Sequence, residues 1–303
     1  MGKIAFVFAG QGAQHPGMGK ELAEISDAAA EVFKKADGIR PGTSVQCFKG
    51  TDEELKNTGN TQPCMYAVEM AAAAALSEKG IKADMTAGFS LGELAALTYS
   101  GAVDFESGFR LVVRRGALMQ QASEEQDTAM AAVLRLAPEK VEEVCAGFEQ
   151  VYPVNYNCPG QISVAGAAAE MKEFRNAVKE AGGRAIPLKV SGGFHSPFME
   201  KAGAAFEEEL AKCDFNAPSC ALYSNCTGEE YGGDVCGTIA RQMCSPVRWE
   251  KIIRNMIDAG ADTFIELGPG NTLAGFITKI NGDVRVFGLE GKEDLETLIS
   301  EVK

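Results

Sequence analysis

Residues 84–101 have the sequence DMTAGFSLGELAALTYSG, an apolar segment followed by a glycine-flanked serine and a second apolar run. Hydrophobic spacing and the closing glycine predict a strand over 84–87, a tight turn over 88–90 and a helix over 91–100. The turn matches G-x-S-x-G, in which glycines allow a strained strand-to-helix turn that lifts a serine hydroxyl clear of its neighbours. The helix N-terminus can also stabilise negative charge that develops nearby. We therefore interpret Ser90 as a nucleophile; the alternative is a packing turn whose serine only caps the helix.

Strands and helices alternate on both sides of this segment. The apolar run that ends at Ala9 predicts a buried first strand, and helical spacing predicts a helix that Thr61 caps and Gly80 ends. Further helices are predicted over 17–36, 105–122 and 197–212, and a further strand over 263–267. Such alternation implies an α/β fold like that of hydrolases, with a mainly parallel sheet flanked by helices on both faces.

Residues 125–194 follow a different pattern. They predict strand, helix, strand, strand, helix and strand in turn, at 129–136, 138–148, 151–155, 162–165, 168–181 and 184–190. This βαββαβ order is the ferredoxin-like arrangement. We expect a small subdomain over 125–194, inserted into a large α/β catalytic domain formed by 1–124 and 195–303.

A neutral serine needs a base, and histidine suits that task because its ordinary pKa lies near neutrality. The chain has only two histidines, His15 and His195, and both lie in glycine-containing loops. His195 follows the last predicted strand of the subdomain, where a domain seam suits a catalytic residue. The residues alone favour His195 and leave His15 open.

The loop over residues 10–17, GQGAQHPG, does not fit a phosphate cradle. His15 stands where G-x-G-x-x-G needs its third glycine, and Gly19-Lys20 is followed by Glu21 instead of Ser or Thr. The backbone N–H groups of this loop can instead form an oxyanion hole with those at a helix start.

Arg115 lies at the edge of the apolar stripe of the helix over 105–122. An unpaired guanidinium there is costly, so Arg115 is expected to face a carboxylate. That carboxylate belongs either to a substrate or to a glutamate of the protein, and the residues leave both open.

The composition narrows the possible partners. The chain of 303 residues has a net charge of -13 and no run rich in Lys and Arg, which argues against nucleic acid. The N-terminal apolar run is too short for a signal peptide and no stretch is long enough to span a bilayer, so we expect a cytoplasmic protein without a membrane partner. The nine cysteines lack C-x-x-C spacing and are expected to be reduced thiols, with Cys158 and Cys244 as candidates for another role.

Seven short segments together resemble the malonyl-CoA:acyl carrier protein transacylases, which are related to the acyltransferase domains of fatty-acid and polyketide synthases. The segments occur in the family's order, almost end to end, with the βαββαβ insertion in place. They are 10–14 (GQGAQ), 88–93 (GFSLGE), 115–116 (RG), 154–161 (VNYNCPGQ), 194–195 (FH), 245–249 (SPVRW) and 266–270 (ELGPG).

The resemblance implies an activity and its residues. A malonyl group passes from malonyl-CoA to the phosphopantetheine thiol of acyl carrier protein through an acyl-enzyme on Ser90, in a ping-pong reaction with His195 as the base. The N–H groups of Gln11 and Leu91 then form the oxyanion hole, and Arg115 binds the malonyl carboxylate.

The resemblance also implies that a backbone carbonyl, which we place at Arg248, orients the base, so that no third acidic residue is needed. Asn155, Asn157 and Phe194 are expected to line the site. The CoA thioester is a substrate, no cofactor or metal is expected to be bound, and we expect a monomer. Phe89 departs from the family, in which histidine is frequent before the nucleophile, so a role of that histidine cannot be carried over.

Two other functions remain open. A serine thioesterase or hydrolase of acyl-CoA would use the same Ser90 and His195 but release the acyl group to water. A non-catalytic subunit would bind the carrier protein without reacting. Because acyl carrier proteins are acidic, docking requires a local basic patch, for which Lys189, Lys201 and Lys279 are candidates.

Overall fold

The computed structural model describes residues 2–190 and 192–302. Its strands form two sheets, one parallel and one antiparallel, with helices packed on both. In chain order the elements are β1 (Lys3–Phe8), α1 (Lys20–Ile25), α2 (Asp27–Ile39), α3 (Thr43–Lys49), α4 (Asp52–Lys56), α5 (Thr58–Glu78), β2 (Met85–Gly88), α6 (Gly92–Tyr99), α7 (Phe105–Glu125), β3 (Thr128–Leu134), α8 (Pro138–Cys145), β4 (Val151–Cys158), β5 (Gln161–Ala167), α9 (Ala168–Glu180), β6 (Arg184–Pro187), α10 (Glu200–Leu210), β7 (Ala221–Tyr223), α11 (Val235–Ala240), α12 (Trp249–Asp258), β8 (Ala261–Leu267), α13 (Thr272–Ile280), β9 (Arg285–Leu289) and α14 (Lys292–Glu301). Short 3₁₀ turns lie at Pro197–Met199 and Gln242–Cys244.

The large sheet has five strands in the order β7-β2-β1-β8-β9, and each neighbouring pair is parallel. Residues 5–8 of the central strand β1 have no exposed surface. Crossover helices cover both faces of a parallel sheet, which is why such strands are apolar throughout. The predicted mainly parallel sheet is therefore confirmed, and the carboxyl ends of its strands meet at one edge, where the turn after β2 carries Ser90.

The small sheet has the order β4-β5-β3-β6, and each neighbouring pair is antiparallel. Together with α8 and α9 it forms the predicted βαββαβ unit. β4 is an edge strand, which explains how it accommodates Pro153 and two shifts of register. Val247 pairs with that edge, since its N–H donates to the Val154 carbonyl at 2.8 Å and its carbonyl accepts from Tyr156 at 2.9 Å. This pairing ties the small sheet to the rest of the chain; the boundaries 125–194 stay a prediction.

The prediction of one continuous helix over 17–36 is wrong, because the structure has two helices there, α1 and α2. The chain leaves the helical conformation at Ser26 (φ -136°, ψ 119°), between α1 and α2. The Ser26 side chain accepts a hydrogen bond from the Ala29 N–H at 3.1 Å and so caps α2. A serine can satisfy a free helix N–H in this way, and it therefore competes with continuation of the helix.

The start of α5 also differs from the prediction. The helix begins at Thr58, and the side chain of Asn57 caps it by accepting from the Gly59 N–H at 2.9 Å. Thr61 lies inside the helix, where its hydroxyl donates to the Leu55 carbonyl at 2.6 Å. Asparagine is as good a capping residue as threonine, and capping at Asn57, four residues before Thr61, adds another turn to the helix.

All nine cysteines, Cys158 and Cys244 among them, are free. Within residues 2–190 and 192–302, no group of three or more His, Cys, Asp or Glu side chains is arranged to hold a metal ion. In the same part of the chain, no helix combines the length and the apolar character that crossing a bilayer requires.

Candidate active site

Ser90 lies on a strained turn between β2 and α6. Its φ of 56° is in the left-handed region, which costs a non-glycine residue about 1–3 kcal/mol. A Cβ on Gly88 would lie 1.9 Å from the carbonyl carbon of Gly92, and a Cβ on Gly92 would lie 2.4 Å from the Phe8 carbonyl oxygen. Both flanking glycines are therefore required by close backbone contacts, and the turn has the geometry of a nucleophile elbow.

His195 is paired with the serine. Its Nε2 lies 2.7 Å from Ser90 Oγ, and its Nδ1 lies 2.9 Å from the Gln242 carbonyl oxygen. Because a carbonyl only accepts, Nδ1 carries the proton, and Nε2 is left to accept from the serine hydroxyl. Burial, together with the nearby charge of Arg115, lowers the pKa of His195 to about 4. The imidazole is therefore neutral at pH 7 and able to take a proton.

The group that orients the base is not the one expected from the sequence. The Arg248 carbonyl accepts from the Ile252 N–H at 3.0 Å, at the start of α12, and does not contact the histidine. The Arg248 side chain donates to the Cys226 carbonyl. Gln242 supplies the carbonyl instead, from the 3₁₀ turn that precedes the extended segment paired with β4. The correction follows from that extended segment, which carries position 248 away from the imidazole.

His15 lies elsewhere. Its ring nitrogens contact the Pro16 carbonyl and the Glu290 carboxylate. Partial burial lowers the pKa of His15, but these hydrogen bonds outweigh it and the net shift is upward. His15 also takes no part in the wall of the cavity beside Ser90, so of the two histidines only His195 is placed to act on the serine.

Arg115 is fully buried on α7, next to Ser90. Its guanidinium donates from Nη1 to Gln62 Oε1 at 2.9 Å, from Nη2 to Gln242 Oε1 at 2.7 Å, and from Nη2 to Ser90 Oγ at 3.3 Å. Burial lowers the pKa of Arg115 to about 10 while the charge of Glu93 acts against this, so the group stays protonated at pH 7. Among the residues that the structure describes, no carboxylate forms a salt bridge with it, although an internal glutamate partner had been an open alternative.

A cavity of about 100 Å³ opens beside Ser90. Gln11 and Leu91 lie in its wall, and neither backbone N–H donates to another group in the described chain. Asn155 and Phe194 line the cavity, as expected. Asn157 does not line the cavity, since its side chain donates to Ser163 Oγ at 3.2 Å. Asn155 and Asn157 would share one face of a regular strand, but β4 shifts register between Tyr156 and Cys158. The remaining wall residues are Gln62, Phe89, Ser90, Met119, Met130, Leu188, Val190 and His195.

Gln242 contacts Ser90, His195 and Arg115, and no sequence motif predicts it. Its carbonyl binds His195, its Oε1 accepts from Arg115, and its Nε2 donates to the Ser90 carbonyl at 2.6 Å. Asn225 forms a second contact with the elbow by accepting from the Ser90 N–H at 2.8 Å. Neither residue belongs to a local motif, so only the folded chain reveals them.

Comparison with known proteins shows the family to which the chain belongs. The family model described as acyl transferase domain matches residues 5–282. A malonyl CoA-acyl carrier protein transacylase from Bacillus subtilis is 38% identical over 311 residues, covering 100% of this chain and 98% of the relative. The crystal structure of a transacylase of the same name from Clostridium perfringens matches with a TM-score of 0.96 and 40% identity, over 99% of this chain and 97% of the other.

A second solved structure is of a type II PKS acyl-carrier protein in complex with its malonyl-transacylase. It matches with a TM-score of 0.94 and 32% identity, over 98% of this chain and 99% of the other. These similarities extend over the whole fold and include the strand, turn and helix that carry Ser90. The chain belongs to the acyl transferase domain family, among the malonyl-CoA:acyl carrier protein transacylases.

Proposed function

We propose that the protein transfers a malonyl group from malonyl-CoA to the phosphopantetheine thiol of acyl carrier protein, through an acyl-enzyme on Ser90. The single observation that carries the proposal is the buried guanidinium of Arg115, 3.3 Å from Ser90 Oγ and bound only to neutral groups. A buried charge that forms no salt bridge within the described chain is costly, and a substrate carboxylate would neutralise it. An acyl group with a free carboxylate fits that requirement, and an acetyl group does not.

The first half-reaction makes the acyl-enzyme. Nε2 of His195 takes the proton of Ser90 Oγ as Oγ attacks the thioester carbonyl, and the N–H groups of Gln11 and Leu91 bind the resulting oxyanion. The tetrahedral intermediate collapses, the C–S bond breaks, and the proton on Nε2 passes to the departing CoA sulfur. In the second half-reaction the carrier-protein thiol gives its proton to Nε2 and attacks the ester carbonyl. The bond between that carbon and Ser90 Oγ then breaks, and Nε2 returns the proton to Oγ.

Arg115 binds and orients the malonyl group in this scheme. Gln62 lies between the cavity and the guanidinium, because it lines the first and accepts from the second. We infer that the malonyl carboxylate takes the place of the Gln62 amide oxygen, which gives a charge-assisted pair and holds the thioester carbonyl in line with Ser90. The reaction needs no cofactor, and the cytoplasmic location and the monomeric state stay predictions.

Docking of the carrier protein is proposed at the mouth of the cavity. Lys189 is exposed and follows Leu188, which lines the cavity. Lys201 and Lys279 are also exposed, but neither is adjacent in sequence to a residue of the cavity wall. Lys189 is therefore the best placed of the three to meet an acidic partner.

The proposal is tested by following the acyl group. Incubation with malonyl-CoA alone is expected to give a covalent adduct of one malonyl group, seen by intact-mass spectrometry, and to release one CoA per chain. Addition of carrier protein bearing phosphopantetheine is expected to move the malonyl group to that protein. Steady release of free malonate at the same rate would instead identify a hydrolase, and absence of the adduct would identify a non-catalytic binder.

Arg115→Ala is expected to lower kcat/KM for malonyl-CoA by at least about 100-fold, because a charge-assisted pair to the substrate is lost. Acetyl-CoA, which has no carboxylate, is expected to lose far less, so the preference for malonyl falls. Competition between the two thioesters measures this selectivity. Arg114→Ala is the matched control, since Arg114 is the next residue but pairs with Glu209 at the surface. Unchanged selectivity in Arg115→Ala would remove the proposed role.

A further inference from the structure

One buried side chain holds both sides of the nucleophile elbow. The amide oxygen of Asn225 accepts from the Ser90 N–H at 2.8 Å, and its amide nitrogen donates to the Gly88 carbonyl at 2.6 Å. Asn225 follows β7 and is 0% exposed. The two backbone groups lie on either side of Phe89, so a single amide spans the turn that presents the nucleophile.

The orientation of this amide is fixed by its partners. An N–H can only donate and a carbonyl can only accept, so Oδ1 must face Ser90 and Nδ2 must face Gly88. Gln242 supports the same orientation, because its Nε2 lies 3.3 Å from Asn225 Oδ1. Ser90 is held in the left-handed region, where a non-glycine residue persists only if surrounding contacts enforce that conformation.

Asn225 is itself held by the helix that the elbow begins. Its backbone N–H donates to Glu93 Oε1 at 2.9 Å, and its carbonyl accepts from the Arg248 N–H at 2.9 Å. The same Glu93 oxygen accepts from the Tyr231 hydroxyl. Burial raises the pKa of Glu93 to about 7, although these hydrogen bonds act to lower it. The elbow, Glu93 of α6 and Asn225 thus form a closed set of contacts.

We propose that Asn225 is a positioning residue for the acyl transfer: by joining the Ser90 N–H to the Gly88 carbonyl, it holds Ser90 in the left-handed conformation that directs Oγ to His195 Nε2. The inference rests on the proposed function for the identity of the acyl group. It does not depend on whether the acyl group later goes to carrier protein or to water, because both follow the formation of the same adduct.

Two variants separate the contacts. Asn225→Ala removes both, and a displaced nucleophile is expected to lower the rate constant of adduct formation by about 100-fold or more. Asn225→Asp keeps the size and the acceptor for Ser90 but cannot donate to Gly88 when ionised, and it is expected to lose less than Asn225→Ala. Asn255→Ala is the matched control, because the Asn255 amide donates to the Gly228 carbonyl in the loop after β7 without touching the elbow.

The distinguishing measurement is substrate binding. Malonyl-CoA affinity is measured by calorimetry with Ser90→Ala and with the double variant Ser90→Ala/Asn225→Ala, in which no acyl transfer occurs. Equal affinities, within about threefold, together with the slow adduct formation support positioning. The proposal would be overturned if Asn225→Ala and Asn225→Asp formed the adduct at the wild-type rate. It would also be overturned if malonyl-CoA affinity fell in step with the rate.

Since loss of a buried amide can prevent folding, Asn225→Asp carries the test if Asn225→Ala is insoluble. A wild-type protein that forms no adduct refutes the proposed function, whatever these variants do.

Discussion

Ser90→Ala is expected to form no malonyl adduct and to lower transfer to carrier protein by at least about 10⁴-fold, because within residues 2–190 and 192–302 the only hydroxyl hydrogen-bonded to His195 is that of Ser90. The 2.7 Å contact between Ser90 Oγ and His195 Nε2 is the basis of this expectation. Malonyl-CoA should still bind, since the guanidinium of Arg115 and the oxyanion amides are unchanged. Intact-mass spectrometry and calorimetry on the same preparation measure the two quantities.

Ser100→Ala is the control for this experiment. Ser100 is buried at the C-terminal end of α6, the helix that follows Ser90, and its hydroxyl donates to the Leu97 carbonyl at 2.9 Å. It should form the adduct at the wild-type rate. An adduct of full stoichiometry on Ser90→Ala would place the acyl group on another residue and would contradict the mechanism.

His195→Ala is expected to lower the rate of adduct formation by about 10³-fold or more, because Ser90 loses its proton acceptor. His15→Ala removes the other histidine of the chain and should leave the rate unchanged. Rapid-quench measurement of adduct formation compares the two variants. A larger loss in His15→Ala would show that the wrong histidine has been chosen as the base.

The pH dependence of the wild-type protein gives a second test of the base. Burial, with the charge of Arg115, lowers the pKa of His195 to about 4 from its ordinary value of 6.5, so the reactive neutral imidazole predominates above about pH 5. Adduct formation is therefore expected to be level from pH 5 to 8 and to fall as the pH drops through about 4. A midpoint near 6.5 would contradict the buried, neutral base.

The same shift affects stability. Because the unfolded chain binds a proton at His195 more readily than the folded chain, the stability from this group is complete above pH 6.5 and is lost as the pH falls towards 4. Thermal unfolding at each pH separates this loss from the loss of the reactive imidazole.

The sequence predicted the features that depend on contacts or spacing between residues close together in the chain. A Cβ on Gly88 would meet the backbone of Gly92 only four residues away, and this local contact is why G-x-S-x-G predicted the elbow. The close approach of Gly92 to the Phe8 carbonyl of β1 forms only in the folded chain. Hydrophobic periodicity predicted the parallel sheet and the βαββαβ unit, because both are formed by elements whose buried faces recur at fixed spacing. The break at Ser26 was missed, since a capping serine leaves the apolar spacing on either side nearly unchanged.

The sequence predicted the identity of the base only in part. His195 and His15 both follow glycine-rich sequence, and the residues alone did not separate them. The resemblance to the transacylases did so, and the fold brings His195 to Ser90 from 105 residues away. Arg115 was recognised as needing a carboxylate, but only its neutral neighbours in the fold, Gln62 and Gln242, favour a carboxylate from the substrate.

The sequence by itself determined the fold class, and it predicted a serine nucleophile that needs a base. The tertiary structure alone decided that Gln242 and not Arg248 orients that base, and that Asn225 spans the elbow. The physical reason is that a backbone carbonyl is the same in every residue and a lone amide side chain matches no motif. Contacts made across 47 and 135 residues therefore become visible only when the chain is folded.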